Sequence, residues 1–226
     1  MTWFGNMYRS AIGKKAVMAT TGLILFGFVL VHMLGNLKTY LGAEHMNEYA
    51  YFLRHVGEPL VPAGVLLWVA RIVLLVCAVL HIYSAYELTM MNREARPVGY
   101  QAGRGFVKAT YAARTMRWGG VILLLFIVYH LLHLTTGNAH PSFVEGDAYG
   151  NLVKGLRVWW SAAIYIVANL ALGLHLYHGL WAMFGSVGLT NPRFESWRRN
   201  FAVLFAVVVT LGNLSFPIAI LTGYVH

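Results

Sequence analysis

Charge is what this sequence has least of. Only 11% of its 226 residues are charged, and just eight are acidic, against about 25% charged in an average soluble domain. So few charges cannot furnish a water-facing shell around a core of ordinary size. Cysteine is almost as scarce: Cys77 stands alone inside an apolar run, which excludes a disulfide framework, a thiolate metal site and redox chemistry through sulfur. The chain has no dinucleotide-binding glycine fingerprint, no cysteine set for an iron-sulfur cluster, no low-complexity tract and no repeat of soluble type. The net charge of +9 does not point to nucleic acid, because the basic residues are divided among alternate connections rather than gathered on one face.

What the sequence does have is apolar length. Hydrophobic residues make up 58% of the chain, and five runs reach membrane-spanning length: residues 16–37, 62–89, 118–136, 159–187 and 201–224. They predict an all-α membrane protein, a single domain over residues 1–226 built as a bundle of five transmembrane helices. The first run follows Arg9, Lys14 and Lys15 as a signal peptide would, but nothing after it reads as a cleavage site and it contains a histidine, so it is a true span.

Twelve basic residues fall on one side of these spans: Arg9, Lys14 and Lys15, then Arg93, Arg96, Arg104, Lys108, Arg114 and Arg117, then Arg193, Arg198 and Arg199. The other side has Lys38, Arg54, Lys154 and Arg157. The positive-inside rule makes the amino terminus cytoplasmic and the carboxyl terminus external. The first outer connection carries Glu44, Glu48 and Glu58 around the helical pattern N-E-Y-A-Y-F-L-R-H, and is expected to lie along the membrane surface. The inner connection after Met91, with Pro97, Gly99, Gly103 and Gly105, reads as an irregular basic loop. Trp3, Trp68, Trp118, Trp159, Trp160, Trp181 and Trp197 mostly fall near span ends, as in an interfacial aromatic belt.

The chemistry rests on histidines. His32, His81, His130 and His175 stand one to each of the first four runs, all late in them, and an ionisable group at membrane depth is costly enough to mark a functional site. Alternating helix direction places His32 and His130 in an outer layer and His81 and His175 in an inner one, on the order of 10–20 Å apart. Two imidazoles at one depth suit the two axial positions of a haem iron, and two layers imply two haems; a structural zinc would want four ligands where each layer offers two. Singly, each histidine would serve as well as a hydrogen-bonding link between helices. His133 and His178, each three residues past a favoured ligand and near the same face, are alternative ligands or partners for a propionate or quinone. His45, His55, His140 and His226 fall in loops or at the terminus and read as solvated. Arg71, inside the second run, needs an anion, and a haem propionate of the outer layer is the candidate, with snorkelling to the surface as the plainer use. Glu87, near the cytoplasmic end of that run, reads as an interface residue.

With those residues in view, the chain resembles the cytochrome b membrane-anchor subunit of succinate dehydrogenases and fumarate reductases, in the subclass with one five-helix polypeptide and two haems b. The likeness is carried by S-A-I-G-K-K-A-V-M-A-T-T-G from Ser10, H-M-L-G-N-L from His32, R-x-x-G-x(9)-H from Arg117 to His130, I-Y-I-V from Ile164, and H-L-Y-H-G-L-W from His175. The resemblance implies His32 with His130 as axial ligands of a distal haem and His81 with His175 of a proximal one, favouring His130 over His133 and His175 over His178. It implies an integral protein of a bacterial or archaeal cytoplasmic membrane, surrounded by lipid, with two partners on the cytoplasmic face: a flavoprotein subunit with FAD, which performs the succinate or fumarate chemistry, and an iron-sulfur subunit. A higher oligomer of the whole complex is compatible with it. Electrons would pass from cluster to proximal haem, distal haem and membrane quinone, either menaquinone or ubiquinone, in a direction the sequence does not fix.

For quinone, an outer pocket would use Glu58, His55 or Lys38, and an inner one Ser10 and Lys14; the outer is preferred because the distal haem needs a receiver there. Two rivals stand beside this reading. A dihaem cytochrome b of another quinone-linked oxidoreductase, such as a hydrogenase or formate dehydrogenase, would set its paired histidines on other helices. A haem-free transporter or structural anchor would show helices broken near the midplane, for which Pro217 after Gly212 is the one hint.

Overall fold

Inside hydrocarbon every backbone N–H must find a carbonyl partner, which a helix supplies within its own segment, and the five apolar runs fold as helices. The computed structural model describes residues 8, 10–95, 111–186, 188–189 and 191–226, and of residues 111–114 the backbone only. Trp3, Arg9, the Arg114 side chain, and the inner-loop residues Arg96, Pro97, Gly99, Gly103, Arg104, Gly105 and Lys108 lie outside that description.

In chain order the helices are α1 (Ala11–Asn36), α2 (Ala43–His55), α3 (Val65–Glu94), α4 (Tyr111–Leu134), α5 (Ala148–Arg157), α6 (Trp159–Ser186) and α7 (Glu195–Leu221). A 3-10 turn (Leu37–Leu41) leads out of α1 and another (Pro192–Phe194) into α7. Among the described residues there is no strand. α1, α3, α4, α6 and α7 are each long and apolar enough to cross a membrane, so the expected five-helix membrane architecture is the one observed.

The boundaries differ where polar ends lengthen helices beyond their apolar runs. α1 begins at Ala11, with the Ser10 hydroxyl accepting from Gly13 N at 3.0 Å, and α7 begins six residues before its run, at Glu195. α3 starts three residues later than its run, at Val65, because Pro62 and the left-handed Gly64 (φ 81°) hold a turn there. α7 is continuous through Pro217, so the break that the transporter rival requires is absent from that helix.

α6 is the most enclosed spanning helix and α3 and α4 the least. α7 packs along α6, α3 along α1, and α4 along α6, while α1 also meets α6 and α7. Met33, Leu176, Ala206 and Val209 join α1, α6 and α7 in one buried cluster. Small residues make the approach possible: a Cβ on Gly212 would run into Met33 Sδ, and one on Gly173 into Thr210 Oγ1.

At the end where α1 finishes, α2 and α5 form a cap. The helix expected around N-E-Y-A-Y-F-L-R-H is α2; α5 was not foreseen. Its Leu152, Val153 and Leu156 are buried with Met46, Tyr165, Ile220 and Val225. Asn47 ties the two cap helices, donating to Asp147 Oδ1 at 3.1 Å and accepting from Tyr149 N at 3.0 Å. At the opposite end Lys14 Nζ meets Glu87 Oε2 at 2.8 Å, and Arg198 pairs with Glu195.

Candidate functional site

α1 and α4 both run toward the capped end, and each carries a histidine four residues before its last. The His32 and His130 rings face each other with centroids 5.8 Å apart. Deeper in the bundle, His81 on α3 and His175 on α6 face each other at 6.3 Å. The two layers can be spaced along α1: Thr21, whose Oγ1 is 3.3 Å from His81 Nδ1, precedes His32 by eleven residues, or about 16 Å of helix.

The pairs share a second property. Neither α1 with α4 nor α3 with α6 is among the closely packed helix pairs; facing histidines span helices whose backbones are held apart. His32, four residues from the end of α1, is exposed and stacks at 5.3 Å on Phe28.

Hydrogen bonds orient two of the rings. His81 Nδ1 lies 3.1 Å from the Met18 carbonyl as well as beside Thr21, which assigns its hydrogen to Nδ1 and leaves Nε2 free. Gly22 makes room for this ring, since a Cβ there would lie 3.2 Å from His81 Cε1. His130 Nδ1 is 3.1 Å from the Tyr165 hydroxyl, so Nε2 is again the free nitrogen. Two imidazoles bound through nitrogen to one iron, at about 2.0–2.1 Å each, place their ring centres about 6 Å apart. The four residues therefore fit two bis-histidine haems in ring separation and helix spacing, and His81 and His130 also present a free Nε2.

His133 differs. It is completely buried, with Nδ1 3.0 Å from the Tyr165 hydroxyl and Nε2 3.5 Å from Ser161 Oγ, and its ring stacks on Tyr129 at 5.2 Å. Both nitrogens are engaged and neither faces another spanning helix's histidine. His178 lies one turn beyond His175, edge-on to Trp181 at 6.2 Å, with Nδ1 buried and unpaired among the described residues; His175 Nδ1 is likewise buried and unpaired.

The remaining candidates scatter. Arg71 is exposed, six residues into α3, with its guanidinium 5.0 Å over Trp68 and no carboxylate pairing among the described residues. Lys38 lies 5.4 Å over Tyr49 at the middle of α2, whereas His55 and Glu58 fall together at its far end, with His55 Nδ1 2.8 Å from the Tyr51 carbonyl. Lys14 is committed to Glu87, which also accepts from Tyr8 at 3.2 Å, and Ser10 caps α1. Glu87 thus ties α3 to α1 through Lys14.

His140 requires a correction. Expected as a solvated loop residue, it is half-buried with its ring 5.0 Å from His133, its Nε2 2.8 Å from the Asn151 carbonyl, and its Nδ1 accepting from Ser142 N at 3.0 Å. His45 is exposed, but on α2 rather than in a loop. Tyr165, Ser161 and Tyr129 were also missed as site residues. The signal available was spacing: Tyr129 and His133 end α4 four apart, and Ser161 and Tyr165 begin α6 four apart, so antiparallel helices bring both pairs to one depth.

A family model described as the succinate dehydrogenase/fumarate reductase transmembrane subunit matches residues 92–214, more than half of the chain. The matched stretch contains His130 and His175; His32 and His81 lie before it. No curated protein and no solved structure matches the chain.

Proposed function

The chain belongs to the succinate dehydrogenase/fumarate reductase transmembrane-subunit family, and from that premise we propose that it is the dihaem cytochrome b anchor of a succinate:quinone oxidoreductase. As a membrane-anchor subunit it is part of an oxidoreductase complex. The dicarboxylate chemistry belongs in this reading to a flavoprotein subunit with FAD, joined through an iron-sulfur subunit. The observation that carries the haem assignment is the facing of His32 with His130 at 5.8 Å and His81 with His175 at 6.3 Å, at two depths, across helix pairs held apart.

Two haems b, when bound, would supply one-electron carriers at two depths of the membrane between the iron-sulfur partner and quinone. The chain's residues bind and orient them. His32 and His130 would hold the one nearer the capped end and His81 and His175 the deeper one, with Nε2 the free nitrogen of His81 and His130. The Met18 carbonyl and Thr21 fix the His81 ring, and ligand basicity rises with such second-sphere bonds. Arg71, a cation within the span that meets no carboxylate among the described residues, is assigned to a propionate of the outer haem.

The capped end is external and the Lys14–Glu87 end cytoplasmic by the distribution of Lys and Arg. Quinone is assigned to the outer side, where His55 and Glu58 lie together as proton partners; Lys38, in the 3-10 turn and over Tyr49 at the middle of α2, is a less direct contributor. The inner alternative is weaker because Lys14 is engaged by Glu87 and Ser10 by the α1 cap.

The test is a dithionite-reduced minus oxidised spectrum of the purified complex, with haem counted per polypeptide, for wild type, His130→Ala and His133→Ala. Two low-spin b haems are expected, with one lost or turned high-spin in His130→Ala only. A haem-free wild type would sink the assignment; loss in His133→Ala alone would move the outer ligand by one turn.

A further inference from the structure

Behind the outer histidine pair is a buried polar cluster that haem ligation leaves unused. Tyr165, only 6% exposed, sends its hydroxyl between two rings of α4, 3.1 Å from His130 Nδ1 and 3.0 Å from His133 Nδ1. We propose that Tyr165 is a positioning residue for His130, holding its Nδ1–H so that Nε2 faces His32, with His133 anchoring the hydroxyl from behind. The proposal rests on the assignment of His130 as a haem ligand.

Hydrogen counting gives the cluster one polarity. A phenol has one hydrogen, so between two Nδ1 atoms it can donate to one and must accept from the other. A neutral imidazole that binds metal through Nε2 carries its hydrogen on Nδ1. His130 therefore donates to Tyr165, and Tyr165 donates to His133 Nδ1. The hydrogen of neutral His133 is then on Nε2, directed at Ser161 Oγ 3.5 Å away, and Ser161 in turn meets the Tyr129 hydroxyl at 3.0 Å. His140 closes the far side as a neutral ring, accepting from Ser142 N and donating to the Asn151 carbonyl.

Packing holds the tyrosine ring in place. It meets Phe126 edge-on at 5.0 Å and Tyr129 at 6.2 Å. A hydroxyl that accepts from a ligand's N–H while donating onward polarises that bond more than an isolated acceptor would. The imidazole is thereby made more electron-donating, which favours the oxidised, more positively charged iron. A tyrosine that merely links α4 to α6 would affect stability and leave the iron's properties unchanged.

Redox titration of the purified complex, followed optically and by EPR, distinguishes the two. In Tyr165→Phe both haems should remain bound and low-spin. The potential of the haem that is lost in His130→Ala should rise and its EPR signal move, while the other haem is unchanged. His133→Leu, which removes the group receiving the tyrosine hydrogen, should shift the same haem in the same direction by a smaller amount, and serves as the test if Tyr165→Phe fails to assemble. Wild-type potentials and EPR signals in an assembled variant would overturn the proposal. A wild type without haem would overturn the assignment beneath it, and this inference with it.

Discussion

A buried ring can be displaced by a single methyl group if the neighbouring backbone leaves no room for it. Gly155 on α5 is such a place: a Cβ there would lie 2.6 Å from His133 Cε1 and 2.9 Å from His140 Nε2. Both rings are fixed by hydrogen bonds, so neither can yield as a flexible chain end would. Gly155→Ala should destabilise the protein by about 1–3 kcal/mol, the usual cost of overpacking. The check is thermal unfolding of the detergent-solubilised complex, in which an unchanged midpoint would contradict the contact. At this scale the histidines of the spanning helices were legible in the sequence, because an ionisable group in an apolar run stands out whatever surrounds it. Tyr165 was not, because a tyrosine in a span is unremarkable until its hydroxyl is seen to have two nitrogen partners.

The cap illustrates how short helices depend on their ends. α5 has ten residues, too few for a stable helix in isolation, and one carboxylate organises its start: Asp147 Oδ1 accepts from Gly150 N at 2.8 Å and from Asn47 Nδ2 at 3.1 Å. Asp147→Ala should cost about 1–2 kcal/mol, typical of a lost N-cap. Amide exchange over residues 148–157 should accelerate while the centre of α6 stays protected, and uniform exchange through both would rule out a local cap. The spans were readable because apolar length alone identifies them. α5 was not, since ten amphipathic residues between two spans look like an ordinary connection until their apolar face is placed on Met46 and Tyr165.

For the whole molecule, orientation has a direct test, helped by the buried position of the single cysteine, Cys77. Ser142 at the capped end and Glu94 at the other are both exposed. In intact cells a membrane-impermeant thiol reagent should label Ser142→Cys and spare Glu94→Cys, and inverted vesicles should reverse the pattern. The opposite result would invert the protein and move the partner-docking face to the capped end. The physical basis is that basic residues resist transfer across the membrane.

The sequence by itself determined the number of spans, the charge asymmetry of their ends and the depth of each histidine, because these depend only on hydropathy and on the fixed rise of a helix. The cap, the separation of α3 from α6 and of α1 from α4, and the facing of particular rings were decided by the tertiary structure. His130 and His133 show the physical reason. Three residues apart, they sit about 60° from each other around α4, too little for depth or pattern to distinguish. Tyr165 touches both, and what separates them is what else stands opposite: His32 of another spanning helix for the one, Ser161 for the other.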